Sequence, residues 1–517
     1  MDTLPWWHDA VVYQIYVRSF ADADGDGVGD LEGVRRRLPY LSALGVDALW
    51  LTPFYPSPMV DGGYDVADHR GVDPLFGDLA TFDRLVADAH ARNLKVIVDL
   101  VPNHTSSEHP WFREALAAPK GSPERDRYIF RDGVAGGPPN NWRSVFGGPA
   151  WTQVPDGQWY LHLFAPEQPD LNWRNPEIHA EFLDILRFWL GRGVDGFRID
   201  VAMGLYKDER LPSVPEEVQG LRSGTPIWGR PEVHDVYREW RKLLDRFDGE
   251  RMLVGEVWTD SLEDLARYVR SDELHQCFNF AWLEAPWDAA AFRTVIDDTL
   301  AALGAAPTWV LSNHDVVRHV TRYAEGAPDP GAGVARARAA VLTMLALPGS
   351  AYLYQGEELG LPEVKDLPPE VRRDPAFHRT GGEVPGRDGC RVPLPWSGSR
   401  PPFGFSLSGS ARPWLPQPAE WAELTVERQL ADPDSMLSFY RRVLALRRRL
   451  AGSLPDRVSW FDSPDEVLAF ARGDLICVLN CGQGHVSLPP HREMLVASGP
   501  LTADGLPPDT AAWLAAR

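Results

Sequence analysis

Four cysteines, at positions 277, 390, 477 and 481, are few for a chain of 517 residues, and none forms a CxxC pair. So sparse a set excludes a dense disulfide framework, and reduced thiols are expected. Long hydrophobic runs are missing too: no stretch approaches the roughly 18 apolar residues of a membrane span. The opening MDTLPWWHDAVVYQIY lacks a basic segment followed by an apolar core, so it does not read as a secretory leader, and a cytoplasmic location is expected. Positive charge is in deficit, with 52 Lys and Arg against 73 Asp and Glu and a net charge of -21. That balance argues against nucleic acid or an anionic membrane as partner, and plain solubility accounts for it. Nothing in the sequence bears on oligomeric state.

What is present is a composition able to build a large core, 44% hydrophobic with 20 tryptophans. Single cores rarely exceed roughly 300 residues, so one large domain with one or two smaller modules is expected. Eight β-rich runs recur, each ending in polar, Gly, Pro or His residues and each followed by helical periodicity. They are VVYQIYVRSF (11–20), VDALWLTP (46–53), KVIVDLVPNH (95–104), GFRIDVA (196–202), RMLVGEVW (251–258), CFNFAW (277–282), TWVLSNHD (308–315) and SAYLYQGEEL (350–359). Strands alternating with helices build a parallel sheet, and eight of them close into a (β/α)8 TIM barrel with active residues at the strands' carboxyl ends.

The interval between the third and fourth runs, rich in Pro, Gly, Trp and Asn, is too long for a βα connection. We read it as an inserted subdomain over 105–174, dividing a barrel of 1–104 and 175–450, with a small antiparallel β-domain over 451–517. The Pro-rich stretch 361–420 reads as a long loop after the eighth strand.

Carboxylates stand at the strand ends. Asp200 closes GFRID and Glu256 closes LVGE on adjacent strands. Neighbouring strands lie about 4.8 Å apart, and cleavage of a glycosidic bond with retention needs two carboxyls about 5 to 5.5 Å apart, one attacking and one protonating the leaving oxygen. Asp315 closes SNHD, where a third carboxylate can hold sugar hydroxyls and oppose an oxocarbenium-like charge. Arg198, two residues before Asp200 and on the same face, is expected to keep that nucleophile ionised, whereas Glu256 needs a raised pKa, which burial against Trp258 supplies. His104 and His314, next to strand ends, are natural donors to sugar hydroxyls.

The blocks DLVPNH, GFRID, VGEVW and SNHD resemble, in order and spacing, the conserved regions of the α-amylase superfamily, glycoside hydrolase family 13. The resemblance implies Asp200 as nucleophile, Glu256 as general acid/base and Asp315 as third essential carboxylate, with Asp99, His104, Arg198 and His314 in support. QPDLNW (168–173) is similar to the version in α-glucosidases, oligo-1,6-glucosidases and trehalose synthases rather than in endo-acting amylases. In that subgroup GGYDVADHR forms the pocket floor. The resemblance implies that Tyr64 stacks on the terminal glucose, that Asp65 grips its far hydroxyls, and that Arg391, or Arg387 nearby, closes that end. Phe146, Phe164 and Phe278 fall where aromatics line similar pockets, Phe164 most directly.

DADGDGVGD (22–30) alternates carboxylates with a glycine turn and suits a hard cation bound through oxygen. Similar loops in the subgroup bind calcium or magnesium through Asp22, Asp24, Asp26, the Val28 carbonyl and Asp30, in a structural role. No catalytic cofactor is expected.

The expected function is therefore a retaining, exo-acting α-glucosidase on small α-glucosides such as maltose, isomaltose or sucrose. The alternative is a glucosyltransferase or disaccharide isomerase of trehalose synthase type, and a remote one is a non-catalytic sugar-binding homologue. Val201 in similar enzymes leans towards α-1,6 linkages, but the continuation DVAMGL departs from DVINF, so no linkage is chosen.

Overall fold

The structure, a computed structural model, describes residues 4–517 apart from 305–306, 328, 330 and 407–411. Eight parallel strands form its centre: β1 (Val11–Ile15), β2 (Ala48–Leu51), β3 (Lys95–Leu100), β4 (Gly196–Ile199), β5 (Met252–Gly255), β6 (Gln276–Cys277), β7 (Thr308–Val310) and β8 (Ser350–Tyr354). They pair in the order β7-β8-β1-β2-β3-β4-β5-β6. Nearly every strand residue is buried. Continuous apolar runs are what a sheet needs when helices cover it outside and side chains fill it inside. At the seam between β6 and β7 the Thr308 hydroxyl donates to the Cys277 carbonyl (2.6 Å), bridging where no strand ladder forms.

The strands are shorter than the β-rich runs. Their polar tails leave the ladder: β7 stops at Val310, which puts His314 and Asp315 on the loop above it. The run CFNFAW departs most. Only Gln276–Cys277 is strand, and Phe280–Glu284 is helix, because the Asn279 side chain accepts from Trp282 N and caps it. Strong β propensity in the aromatics yields there to a local cap.

Between β3 and β4 the chain makes a three-stranded antiparallel sheet of Phe130–Asp132, Gln158–Leu161 and Trp151–Gln153, with Gln158–Leu161 in the middle. Its two ends meet above β3, where Leu171 N donates to Asn103 O (3.0 Å) and Thr105 N to Pro169 O (3.2 Å). The insertion is therefore rooted at the carboxyl end of the barrel, beside the strand-end carboxylates.

At the opposite end, the helix Met436–Leu450 leads into a five-stranded antiparallel sheet spanning 459–515. That sheet packs on the helix Ala332–Ala346, whose many alanines allow close approach, and Trp513 Nε1 donates to Leu342 O (2.9 Å). Arg447 fastens the junction: its guanidinium donates to the carbonyls of Leu345 (2.5 Å) and Gly349 (2.6 Å) and reaches Asp9 O (3.3 Å). Burial pulls its pKa down to about 10, so the position tolerates a charge only because carbonyls receive it. Replacing Arg447 by Ala leaves those carbonyls unpaired. The variant should lose about 3 kcal/mol in denaturant unfolding, while its folded fraction, altered far from the carboxylates, keeps its kcat. A loss below about 0.5 kcal/mol would show that the guanidinium does not hold this junction.

Candidate active site

One buried guanidinium organises the strand ends. Arg198 on β4 gives Nη1 to Asp99 Oδ1 (2.8 Å) and to Asp200 Oδ1 (2.6 Å), and Nη2 to Glu256 Oε2 (2.7 Å). Residues 198 and 200 share a face of the strand, and β3, β4 and β5 lie side by side, with Asp99 opposite Arg198 in register. Asp99 also accepts from Trp50 Nε1 and the Tyr64 hydroxyl, both at 3.0 Å. Glu256 accepts from Val201 N (2.9 Å) and Trp258 Nε1 (3.0 Å). Val201 has φ +45, a conformation costly for a β-branched residue, so the chain is strained immediately after Asp200, where its N–H is aimed at Glu256.

A second cationic cluster closes the far end. Asp315 Oδ1 receives Arg387 Nη1 and Arg391 Nη2, each at 2.9 Å, and its Oδ2 faces His314 Nε2 (3.2 Å). Arg387 also grips Asp61 (2.7 Å) and Asp374 (2.5 Å). Gln168 Nε2, from the QPDLNW block, donates to the other oxygen of Asp61 (3.1 Å).

Two expectations are corrected here. Asp65 does not reach the cavity: its carboxylate accepts from Val60 N and Asp61 N, both at 3.0 Å, and ties the turn shut. Asp61 takes the pocket position instead. The turn between them runs through Gly62 and Gly63, both at positive φ, and a Cβ on Gly62 would lie 2.5 Å from the Tyr16 hydroxyl. This geometry decides which aspartate faces inward, and composition alone does not show it. Likewise Arg391 lies behind the lining, donating to the His314 carbonyl (2.8 Å), whereas Arg387, the nearby alternative, faces the cavity.

The cavity, about 320 Å³, is lined by Asp61, Tyr64, His104, Phe146, Phe164, Asp200, Glu256, His314, Asp315 and Arg387, with further apolar side chains. Tyr64 stacks on His314 (5.2 Å, 10°). Phe164 packs edge-on to Phe146 (5.5 Å), and Arg387 covers the Phe146 ring at 4.9 Å. Phe278 is outside the cavity, stacked on Trp50 (5.3 Å) behind Arg198. His104 Nδ1 lies 3.1 Å from Asn103 Nδ2, and its Nε2 lies between the Tyr64 carbonyl (3.2 Å) and Gln168 Nε2 (3.1 Å). The cavity residues with no clear signal in the sequence are Val145, Leu221, Val384 and Pro385, on loops, and Ala376, in the short helix Pro375–Arg379.

Three carboxyls share one guanidinium, and burial works against the charge of two of them, Asp200 and Asp99. Burial pushes Asp200 well above the ordinary carboxylate range, against the pull of Arg198 and with added repulsion from Glu256 and Asp99. It raises Asp99 to about 6 against the same guanidinium. Arg198 therefore orients Asp200 without holding its pKa low, contrary to the expectation from that pair alone. Asp315 behaves oppositely. Burial opposes its charge, yet the carboxyl is held well below the usual range. His314 is driven neutral by burial and accepts from Gln14 at Nδ1 (2.7 Å), so it offers a hydrogen bond, and Arg387 and Arg391 supply the charge.

In the acidic loop, the carboxylate oxygens of Asp22, Asp24 and Asp30 lie within 4.8 Å of one another. Asp30 also caps the helix Leu31–Leu44, and Asp22 binds the amides of Gly25 (2.6 Å) and Gly27 (2.8 Å). Asp26 turns to Val28 N (2.7 Å) and stands apart from the group of three. Oxygen-only donors crowded at this spacing fit a hard cation such as Ca2+ or Mg2+.

The description "Alpha amylase, catalytic domain" matches residues 14–452. A probable alpha-glucosidase of Rhizobium meliloti is 40% identical over 502 residues, covering 92% of this chain and 89% of that one. The trehalose-6-phosphate hydrolase of Escherichia coli is 39% identical, with 87% and 85% covered. The crystal structure of XgtA, an alpha-glucosyl transfer enzyme, superposes with a TM-score of 0.90 at 38% identity over all of both chains. With its barrel, its three strand-end carboxylates and these likenesses together, the chain belongs to the α-amylase family of glycoside hydrolases.

Proposed function

We propose that the protein cleaves the terminal α-linked glucose from small α-glucosides with retention, through a glucosyl-enzyme on Asp200. The observation that carries this reading is the shared guanidinium: Asp200 and Glu256 grip neighbouring nitrogens of Arg198 at 2.6 and 2.7 Å, the close pairing of carboxyls that a double displacement uses. Asp200 attacks the anomeric carbon as Glu256 protonates the leaving oxygen. Glu256, now a carboxylate, then takes a proton from the attacking water. Asp315, kept ionised by two arginines, faces the sugar where positive charge develops, and low local dielectric strengthens that stabilisation. Asp61 and Arg387 close the floor and stop the cavity from running on along a polysaccharide, which supports exo action. Maltose, isomaltose and sucrose belong to the substrate class such a pocket holds. The acidic loop adds a structural Ca2+ or Mg2+ held by Asp22, Asp24 and Asp30, with Asp26 and the Val28 carbonyl as further oxygen donors; the cation takes no part in bond cleavage.

The test is turnover of maltose, isomaltose, sucrose and trehalose beside α-glucosyl fluoride. Asp200→Asn should lose about 10³-fold or more in kcat on every substrate, since no covalent intermediate forms. Glu256→Gln should lose about 10²- to 10⁴-fold on the disaccharides but far less on the fluoride, whose leaving group needs no proton to form the glucosyl-enzyme. Equal losses on both would remove Glu256 from the acid role.

The pH profile follows from Asp200, which must be ionised to attack. Because burial raises its pKa, kcat/KM should fall as pH drops through an apparent value above the ordinary aspartate value of about 4. An acid limb centred at or below pH 4 would contradict the buried cluster.

Removing the cation with a chelator should lower the melting temperature by several degrees, about 1–3 kcal/mol in stability, and Ca2+ or Mg2+ should restore it. An unchanged melting curve over millimolar chelator would show that the loop binds no cation.

A further inference from the structure

A second group of ligating side chains stands at the amino end of the barrel, opposite the strand-end carboxylates. His8 and Asp9 precede β1, and Asp456 lies in the connection from the helix Met436–Leu450 to the β-domain. One ligating atom from each of the three falls within 4.8 Å of the other two. His8 is only 4% exposed, yet neither of its ring nitrogens makes a hydrogen bond. A buried imidazole with no partner is costly, so the unused nitrogens point to an occupant. The nearest acceptors are carboxylate oxygens outside hydrogen-bonding geometry: Asp456 Oδ2 is 3.3 Å from Nε2, and Asp9 Oδ2 is 3.7 Å from Nδ1.

The two carboxylates divide their oxygens. Asp9 Oδ1 is taken by Gly349 N (3.3 Å) and Arg472 Nη2 (3.4 Å), and Asp456 Oδ1 faces the same Arg472 nitrogen (3.7 Å). Both Oδ2 atoms are left turned towards His8. Arg472 is itself held by the carbonyls of Pro455 (2.8 Å) and Leu347 (3.1 Å), so it steadies the carboxylates from the Oδ1 side, as an outer shell does for the ligands of an ion. Arg447, the other cation nearby, gives its hydrogen bonds to carbonyls of the junction and leaves the carboxylate oxygens alone.

One imidazole nitrogen and two carboxylate oxygens are the donor set of a first-row dication such as Zn2+, whereas Ca2+ asks for more oxygens than these. A tetrahedral ion with bonds of about 2.1 Å spaces its ligands about 3.4 Å apart. Nε2 of His8 and Oδ2 of Asp456 stand at 3.3 Å, and Asp9 completes the set with a shift on the order of 1 Å. Asp456 is exposed, which gives the ion a way in and water a fourth position. We propose that His8, Asp9 and Asp456 bind Zn2+ or a similar first-row dication, and that the ion clamps the entry of the barrel to the β-domain. The site is separate from the acidic loop and independent of the α-glucoside reading.

The experiment titrates the full chain with zinc chloride by calorimetry at pH 7.5, with Ca2+ in millimolar excess to keep the acidic loop filled, and follows melting in parallel. The guanidiniums of Arg472 and Arg447 weaken the hold on a cation, so one Zn2+ per chain should bind with a Kd of about 10 μM rather than far tighter. Zinc at 100-fold over that value should raise the melting temperature by a few degrees. His8→Gln and Asp456→Asn should each weaken binding by about tenfold or more and remove the gain in melting temperature. Asp456→Asn exchanges one atom at an exposed position, so it decides the matter should His8→Gln not fold. No uptake of zinc below millimolar concentration, or uptake that a folded variant keeps unchanged, would overturn the inference.

Discussion

The site depends on placing one guanidinium among three carboxyls in a dry interior. Arg198 is nearly inaccessible, and it reaches Asp99 on β3, Asp200 at the end of β4 and Glu256 at the end of β5. Removing either sign of charge would leave the other buried and uncompensated, so the cluster is all or nothing. It is also the reason the barrel's register matters for chemistry. Asp99 pairs with Arg198 and Ile199 with Gly255, and a slip of β4 by one residue would turn Arg198 and Asp200 towards the helices, away from Asp99 and Glu256. The Val201 backbone, strained at φ +45, persists because its N–H is claimed by Glu256 and its side chain is buried.

The second cluster has a different logic. Arg387 and Arg391 come from the long segment after β8, Asp61 from the loop after β2, and Gln168 from the insertion after β3. Three segments outside the barrel are thus held to one another and to Asp315 by charge-assisted hydrogen bonds. Stability and specificity are coupled in this arrangement: the bonds that order the loops also close the far end of the cavity, so the pocket is blind by construction. The 16–30 segment joins in from below, since the Ser19 hydroxyl donates to the Arg391 carbonyl and the acidic loop follows directly. A cation in that loop would act on the pocket only through this packing.

How much was legible in the sequence follows the same division. Residues carried by the barrel strands could be placed before any coordinates, because period-two alternation and strand ends fix both the direction and the height of a side chain. Asp200, Glu256, Arg198 and Asp99 all come together as those rules require. Residues carried by turns could not. Asp61 and Asp65 flank the same tyrosine, and only the left-handed Gly62 and Gly63 decide which of them faces the cavity. Arg387 and Arg391 sit either side of a short helical turn, Asp388–Cys390, that sends one to the pocket and the other behind it. The aromatic run after Cys277 was misread for a related reason: Asn279 caps a helix, and capping is a contest between local side-chain hydrogen bonds and strand propensity that composition does not settle. The apolar mouth was invisible for the simplest reason. Val145, Leu221 and Val384 are common residues far apart in the chain, and nothing marks them until the loops bring them together.

Related proteins carry names as different as hydrolase and transfer enzyme, and on the proposed reading the mouth of the cavity is the place where such a difference can arise. On the reading proposed above, the floor fixes what happens to the glucosyl group: Asp200 and Glu256, held by one guanidinium, form and discharge the intermediate. What arrives is decided by the mouth, where the competition is between water and an alcohol for one position beside Glu256. An apolar wall disfavours ordered water there, so it shifts the partition without touching the reacting atoms. Changes among Val145, Leu221 and Val384 can therefore redirect the intermediate at little cost to the barrel, since these side chains line loops at its rim. The floor has no such latitude, because each of its charges is balanced by a partner on another strand or loop.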